Sequence, residues 1–375
     1  SEMCIRDSHY TPLAGFFLGL GFYSYIAFRV TPLILLLLSL VFEIIYRRYN
    51  GQSVIWRYRK ELLIMTIIAL VTAAPLGYFL LIHHRALVER SISVSIFNPA
   101  YHQGHPMREI SRNIINTMLM FNFTGDFNWR HNVWGLPFFD PSAGVLFLIG
   151  VICSLKEIFA EKRKISIHQQ QAALYKHSFL WIWFLGFLLP MIVSTDCPHF
   201  LRCAGIIPLV FVFPALGLHY LSCLIRKSST RKKLIFSIAV YSIFNSYFFY
   251  FQVSAHDPRN YYSRYADLTE VANYINQHGD YQNTYLIIPK DPECTIRFLT
   301  YKSRVNLEPN SWEPPYKRLD SVNDNQFHKF DKIILTRFSL NQEHELRNLY
   351  RKLLLLQEMK DPWNNTIAKI YQLSE

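Results

Sequence analysis

The sequence predicts an α-helical polytopic membrane protein of about seven spans, followed by a small α/β domain outside the cytoplasm. Three observations carry that expectation. Apolar runs close to twenty residues long recur through the first two thirds of the chain, the length a helix needs to cross the hydrocarbon layer. Lysine and arginine gather in short loops between those runs, so that every basic loop falls on one side, as cytoplasmic loops do. Beyond His256 the composition becomes that of a water-soluble module, with helical and strand periodicities of ordinary length.

The bulk composition agrees with a chain of two kinds of segment. It has 375 residues, 51% hydrophobic and 16% aromatic, with a formal charge of +12, yet its mean hydropathy is only +0.09. The basic excess sits between spans rather than in one continuous patch, which argues for membrane topology and against nucleic acid as a partner. The six cysteines form no C-x-x-C pair. Cys153 and Cys223 lie in or beside apolar runs and read as small buried residues. Cys197 and Cys203 read as free thiols or, alternatively, as a bridge across an outer loop.

The elements follow in order. Ser1–Ser8 has no apolar h-region and is no signal peptide; it resembles a translated adaptor tail, so the expectation is a C-terminal fragment. Domain boundaries are then 1–8 for the tail, 9–252 for the membrane domain and 253–375 for the α/β domain. Residues 12–28 form a first apolar stretch whose Gly15, Gly19 and Gly21 would let another helix approach closely. Pro32 opens a second span to about Tyr46. Arg47, Arg48, Arg57, Arg59 and Lys60 mark the inner side. Residues 62–83 cross outward, and an outer loop runs from 84 to 142. Within it Pro106 starts an amphipathic helix, with Met107, Ile110, Ile114, Met118 and Leu119 opposite Arg108, Glu109, Arg112, Asn113 and Asn116; it is expected to lie flat on the outer leaflet or to pack within its own small domain. Further spans are expected at 143–159, 178–194, 203–225 and 234–252, with Lys156, Lys162, Arg163, Lys164 and the run from Arg226 to Lys233 inside. In the tail domain Leu268, Val271, Ala272 and Ile275 predict a helix ending at Gly279. Tyr285–Ile288, Lys332–Leu335 and Ile367–Tyr371 predict strands, and 342–359 a second amphipathic helix.

The chemistry concentrates in Gly125-Asp126-Phe127-Asn128-Trp129-Arg130-His131-Asn132, running on to Gly135, Pro137 and Asp140. A polar, aromatic loop beside a span is suited to a polar head group carried on a lipid. Two more polar clusters share the expected outer face: Tyr25 with Arg29, which a helix would place on one side, and His199 with Arg202. Arg130, His131 and Arg202 are candidates for a phosphate, because guanidinium binds phosphate oxygens in pairs. Arg29 is a further candidate, though interfacial snorkelling accounts for any single arginine here. Asp126, Asn128 and Asn132 are candidates for sugar hydroxyls or an acceptor. His102, His105 and His131 share the outer segment but have no carboxylate or cysteine at ligand spacing. No metal set or cofactor is therefore assigned, and a divalent ion stays open.

Three motifs in order carry a resemblance. Gly19-Leu20-Gly21-Phe22-Tyr23-Ser24-Tyr25 leads to Arg29 and Pro32. Gly125-Asp126 is followed by Arg130-His131-Asn132 and Pro137, and Pro198-His199-Phe200-Leu201-Arg202 leads to Gly205 and Pro208. Over most of residues 12–252 this resembles the later membrane half of bacterial GT-C glycosyltransferases, nearest the dolichyl-phosphate-mannose–protein mannosyltransferase and aminoarabinose transferase relatives. The resemblance implies an enzyme of the bacterial inner membrane. It would make an inverting transfer of a sugar from a polyprenyl-phosphate donor to an extracytoplasmic acceptor, which could be protein, lipid or cell-envelope glycan. It also implies catalytic acids in the first outer loop, after the first span. No Asp-Glu or Asp-Asp loop of that kind exists here, so this chain is expected to be inactive alone. A transporter or flippase of lipid-linked sugar is an alternative, but it calls for ionisable groups at mid-span that the sequence mostly lacks. A non-catalytic cell-envelope assembly protein is another.

Overall fold

The computed structural model of the chain describes residues 10–83, 92–159, 166–207, 209–279, 282–301 and 314–374. The Ser1–Ser8 tail, Lys162, Arg163, Lys164, Pro208 and the His102 side chain lie outside the described residues. The chain divides into two compact units, residues 1–250 and 251–375.

The first unit is built of helices. The longer ones are α1 (Tyr10–Gly21), α2 (Thr31–Asn50), α3 (Arg59–Ile82), α4 (Pro106–Leu119), α5 (Pro141–Phe159), α6 (Ile167–Ile192), α7 (Val212–Leu224) and α8 (Ser228–Tyr247). Among the described residues, five helical segments are long and apolar enough to cross a membrane: Ile26–Asn50, Arg59–Ile82, Pro141–Phe159, Ile167–Ile192 and Ser228–Ser254. A sixth is reached only by joining Phe200–Ile206 to Leu209–Leu224, which meet at 71°. The expectation of about seven spans is therefore corrected to five candidate spans among the described residues, or six with the bent pair. The stretch 12–28 does not make one span: α1 stops after 12 residues at Gly21. Ser24 bonds back to the Gly21 carbonyl, and Ile26–Val30 continues as a 3-10 turn directly into α2.

Close backbone approach holds the helices in pairs. Gly15 and Gly19 face α3, where an added Cβ would meet the Met65 carbonyl and the Thr72 side chain, each at 2.5 Å. α5 and α7 approach still more closely through Gly150 and Gly217. α6 packs on α2, α4 and α5. Its Phe184, Phe187 and Met191 join Phe121, Phe139, Phe147, Phe213 and Ile34 in one buried aromatic core. By contrast α8 has no buried residue and α3 only Ala69, so their apolar side chains are exposed in the isolated chain, as lipid-facing helices are. α8 is tied to the start of α5 by Ser242, which donates to Asp140 (2.7 Å). Burial pushes the Asp140 pKa up, but bonds from Ser142, Ser242 and the backbone of Ala143 and Ser142 outweigh it and hold it below the usual carboxylate value.

Among the described residues, the second unit is a five-stranded mixed sheet flanked by helices. Its elements are α9 (Ala266–His278), β1 (Thr284–Ile287), α10 (Lys290–Thr300), β2 (Lys317–Leu319), β3 (Lys332–Thr336), α11 (Glu343–Leu349), β4 (Leu353–Lys360) and β5 (Thr366–Leu373). The strand order is β2-β1-β3-β5-β4, with β1 parallel to β2 and β3, and β5 antiparallel to β3 and β4. Alternation splits the apolar residues between two faces. Leu286, Ile334 and Ile370 meet Leu268, Val271 and Ile275 of α9, whereas Tyr285, Ile333 and Leu335 meet Val322, Phe327 and Leu346. The predicted helix over 342–359 is corrected to a seven-residue helix followed by β4.

At the start of α11, Glu343 accepts bonds from Tyr371 (2.5 Å) and Lys369 (2.6 Å) of β5 and pairs with Arg347. Burial would raise its pKa, but the bonds from Lys369, Tyr371 and Arg347 win and lower it from 4.5 to about 2. A carboxylate with a depressed folded pKa stabilises fully above its unfolded pKa and loses that contribution as pH falls through the folded one. Glu343→Gln is therefore expected to cost about 1 kcal/mol at pH 7. The difference from the unchanged chain should shrink as pH drops from 4.5 towards about 2. Hydrogen exchange at β5 amides measures this; an equal difference at both ends of that range contradicts it.

Candidate functional site

The loop from Met120 to Asp140 folds back on itself. Phe138 and Phe139 donate to the carbonyls of Met120 and Phe121, Gly125 donates to Gly135, and Gly135 donates to Asp126. Gly125 has to be glycine for this closure: a Cβ would lie 1.8 Å from the Leu136 carbonyl oxygen. Within the loop Asp126 is buried. Its Oδ1 accepts from Asn128 N (2.7 Å) and its Oδ2 from Phe200 N (2.8 Å). One carboxylate thus joins this loop to the segment after α6. Asn132 donates to the carbonyls of Asp126 (2.9 Å) and Leu136 (2.7 Å), and Asn128 Oδ1 accepts from Arg130 N (3.0 Å).

The second wall is the end of α6. The last carbonyls of a helix lack intrahelical donors, and α4 supplies one: Asn113 Nδ2 donates to Ile192 O (2.8 Å), and in the turn beyond to Ser194 O (2.9 Å), while Asn116 Nδ2 donates to Cys197 O (3.1 Å). Asn113, Asn116 and Thr117 of α4 therefore dock on protein, while Arg108 and Arg112 stay exposed, as do Met107, Ile115 and Met118. Asn113, expected on an outward polar face, is buried. Ser95 and Ser194 form an isolated bridge that sets residues 93–96 beside the same turn. Arg202 is buried: its Nη1 donates to Ser194 Oγ (2.9 Å) and to the Thr195 carbonyl, and its Nη2 lies 3.7 Å from Asp196. Cys197 and Cys203 are both free thiols, so no bridge spans this turn.

Between these walls lies a cavity of about 650 Å³. Tyr25, Asn128, Arg130, His131, His199 and Arg202 contribute its polar lining, and Ile26, Val30, Val94, Pro190, Val193 and Leu201 its apolar lining. Six of the nine sequence candidates thus reach one space. Asp126 sits behind it as a structural tie, and Asn132 is spent on two backbone carbonyls. Arg29 is not among the lining residues. The reasoning that put it on the face of Tyr25 assumed an α-helix, whereas Tyr25 is extended and a 3-10 turn follows, with three residues per turn rather than 3.6. Val94, Ser95 and Ser194 were missed, since nothing in their local sequence marks them. No carboxylate lines the cavity among the described residues.

His131 and His199 face each other, with ring centroids 4.6 Å apart. His131 Nδ1 is 3.4 Å from Asp126 Oδ2. Burial holds the His199 pKa below the usual imidazole value, and Arg202 pushes the same way; the opposing pull of Asp126 does not reverse it. One ligand atom each from Asp126, His131 and His199 all lie within 4.8 Å of one another. The expectation of no metal ligands rested on the outer segment alone; the fold brings His199 in from the turn after α6 and turns Asp126 toward the same point.

No family model, curated protein or solved structure matches this chain.

Proposed function

We propose that this protein is a membrane glycosyltransferase of the bacterial inner membrane. It would take a sugar from a polyprenyl-phosphate donor and pass it to an extracytoplasmic acceptor, with the cavity and the second unit on the outer side. The observation that supports this reading is the meeting of Arg130, His131, His199 and Arg202 with an apolar wall in one cavity, in a chain with helices able to cross a membrane. A lipid phosphate needs cationic donors for its oxygens and apolar surface for its first isoprene units. Tyr25 and Asn128 add neutral hydrogen-bonding groups at the same place, of the kind that hold sugar hydroxyls.

The absence of a carboxylate from the described lining favours a second reading, capture of a lipid-linked phosphate without transfer, because activating an acceptor hydroxyl calls for a base within hydrogen-bond reach. The two readings share a binding step and differ in product. With the chain in lipid nanodiscs, Arg130→Ala is expected to weaken polyprenyl-phosphate binding by roughly tenfold or more, the size of a lost charge-assisted hydrogen bond. Unphosphorylated polyprenol should bind poorly to both forms. Equal binding of alcohol and phosphate would refute the reading. Radiolabelled sugar recovered on an acceptor supports transfer, and binding without product supports capture alone.

A further inference from the structure

We propose that Asp126, His131 and His199 bind one divalent transition-metal ion of the zinc class, with an open coordination position toward the cavity. The donor set is two imidazoles and one carboxylate from two separate loops, their ligand atoms within 4.8 Å of each other. A tetrahedral zinc site with bonds of about 2.0–2.1 Å sets its donors about 3.3 Å apart, so small side-chain rotations close the cluster. Two imidazoles select against magnesium and calcium, which prefer oxygen.

Independent of that spacing, Nδ1 of His131 and Nδ1 of His199 are both buried without a hydrogen-bond partner. Buried polar atoms in folded proteins are nearly always satisfied, and two unsatisfied imidazole nitrogens beside a buried carboxylate point to a shared ligand. The 3.4 Å approach of His131 to Asp126 is an ion-pair distance that leaves this nitrogen without a hydrogen bond. Asp126 is already oriented as a ligand should be, its oxygens fixed by the backbone N–H groups of Asn128 and Phe200. Arg202, whose charge acts on His199, is engaged with Ser194, Thr195 and Asp196. The lining itself includes no carboxylate or thiol among the described residues, so the fourth position is left for water or a ligand oxygen.

The test uses the full chain in nanodiscs, stripped with a chelator and titrated with cobalt(II) or zinc(II). Because it involves neither lipid phosphate nor sugar, its outcome is separate from that of the proposed function. One ion per chain is expected, with the intense visible absorption of four-coordinate cobalt. His131→Ala and His199→Ala should each weaken binding by at least about tenfold, while His105→Ala, which belongs neither to the cluster nor to the cavity lining, should not. Since either variant at the site could disturb the fold, the cobalt spectrum of the unaltered chain is decisive on its own. A weak six-coordinate spectrum, or zinc affinity unchanged by removing both histidines, would overturn the proposal.

Discussion

Gly150→Ala is expected to lower the thermal midpoint of the helical unit sharply, while Gly77→Ala in the same protein leaves it unchanged or raises it. A Cβ at Gly150 would stand 1.8 Å from the Phe213 carbonyl oxygen, and one at Gly217 would stand 2.1 Å from the Leu146 carbonyl oxygen. The obstructing atoms are backbone, so no rotamer change relieves the clash and α5 and α7 would have to separate. Overpacking of that kind costs roughly 3 kcal/mol or more. Separation would also loosen the contact between Phe147 and Phe213, whose rings stand 5.6 Å apart in the core. At Gly77, within α3, nothing lies within 4 Å of the added carbon, so only helix propensity acts, favouring alanine by up to about 1 kcal/mol. Thermal unfolding in one detergent compares the two. Equal midpoints would mean that α5 and α7 do not approach as described.

The second large effect is at Asp126. Asp126→Ala leaves the backbone N–H groups of Asn128 and Phe200 without their acceptor, each a loss of about 1–3 kcal/mol when buried. Asp126→Asn keeps one acceptor oxygen and should cost about half as much. Both substitutions act on the connection between the 125–132 loop and the turn after α6, which are the two cavity walls. Amide exchange at Asn128 and Phe200 should therefore accelerate together in the alanine variant, while amides in α7 keep their protection. If Phe200 exchanges no faster, the carboxylate is not the tie between the walls.

The division between long apolar helices and a sheet-bearing unit was legible because it depends on sums over many residues. The apolar runs around Leu35, Leu70, Leu148 and Leu185 each lie in a helix long enough to cross, and Gly279 ends α9 where a glycine was expected to. Local breaks were less legible. Leu346 and Leu349 followed by Leu353–Leu356 satisfy helical spacing, but a continuous apolar run fits strand and helix alike. Pairing of Leu353–Lys360 with β5 decides the matter, and no local signal announces that partner. The same limit applies to the cavity. His131 stood out by its neighbours and His199 by its own motif, but their meeting depends on Asp126 reaching the Phe200 amide, a contact between residues far apart in sequence.

The strand β4 carries a consequence for handling the protein. Among the described residues it has a neighbour on one side only, and Leu354, Leu355 and Leu356 are all exposed on it. A bare, greasy border of that sort recruits other chains into fibrillar or amorphous association. Preparations of the second unit on its own would consequently be prone to clump, and charged replacements at those leucines are where solubility would be recovered.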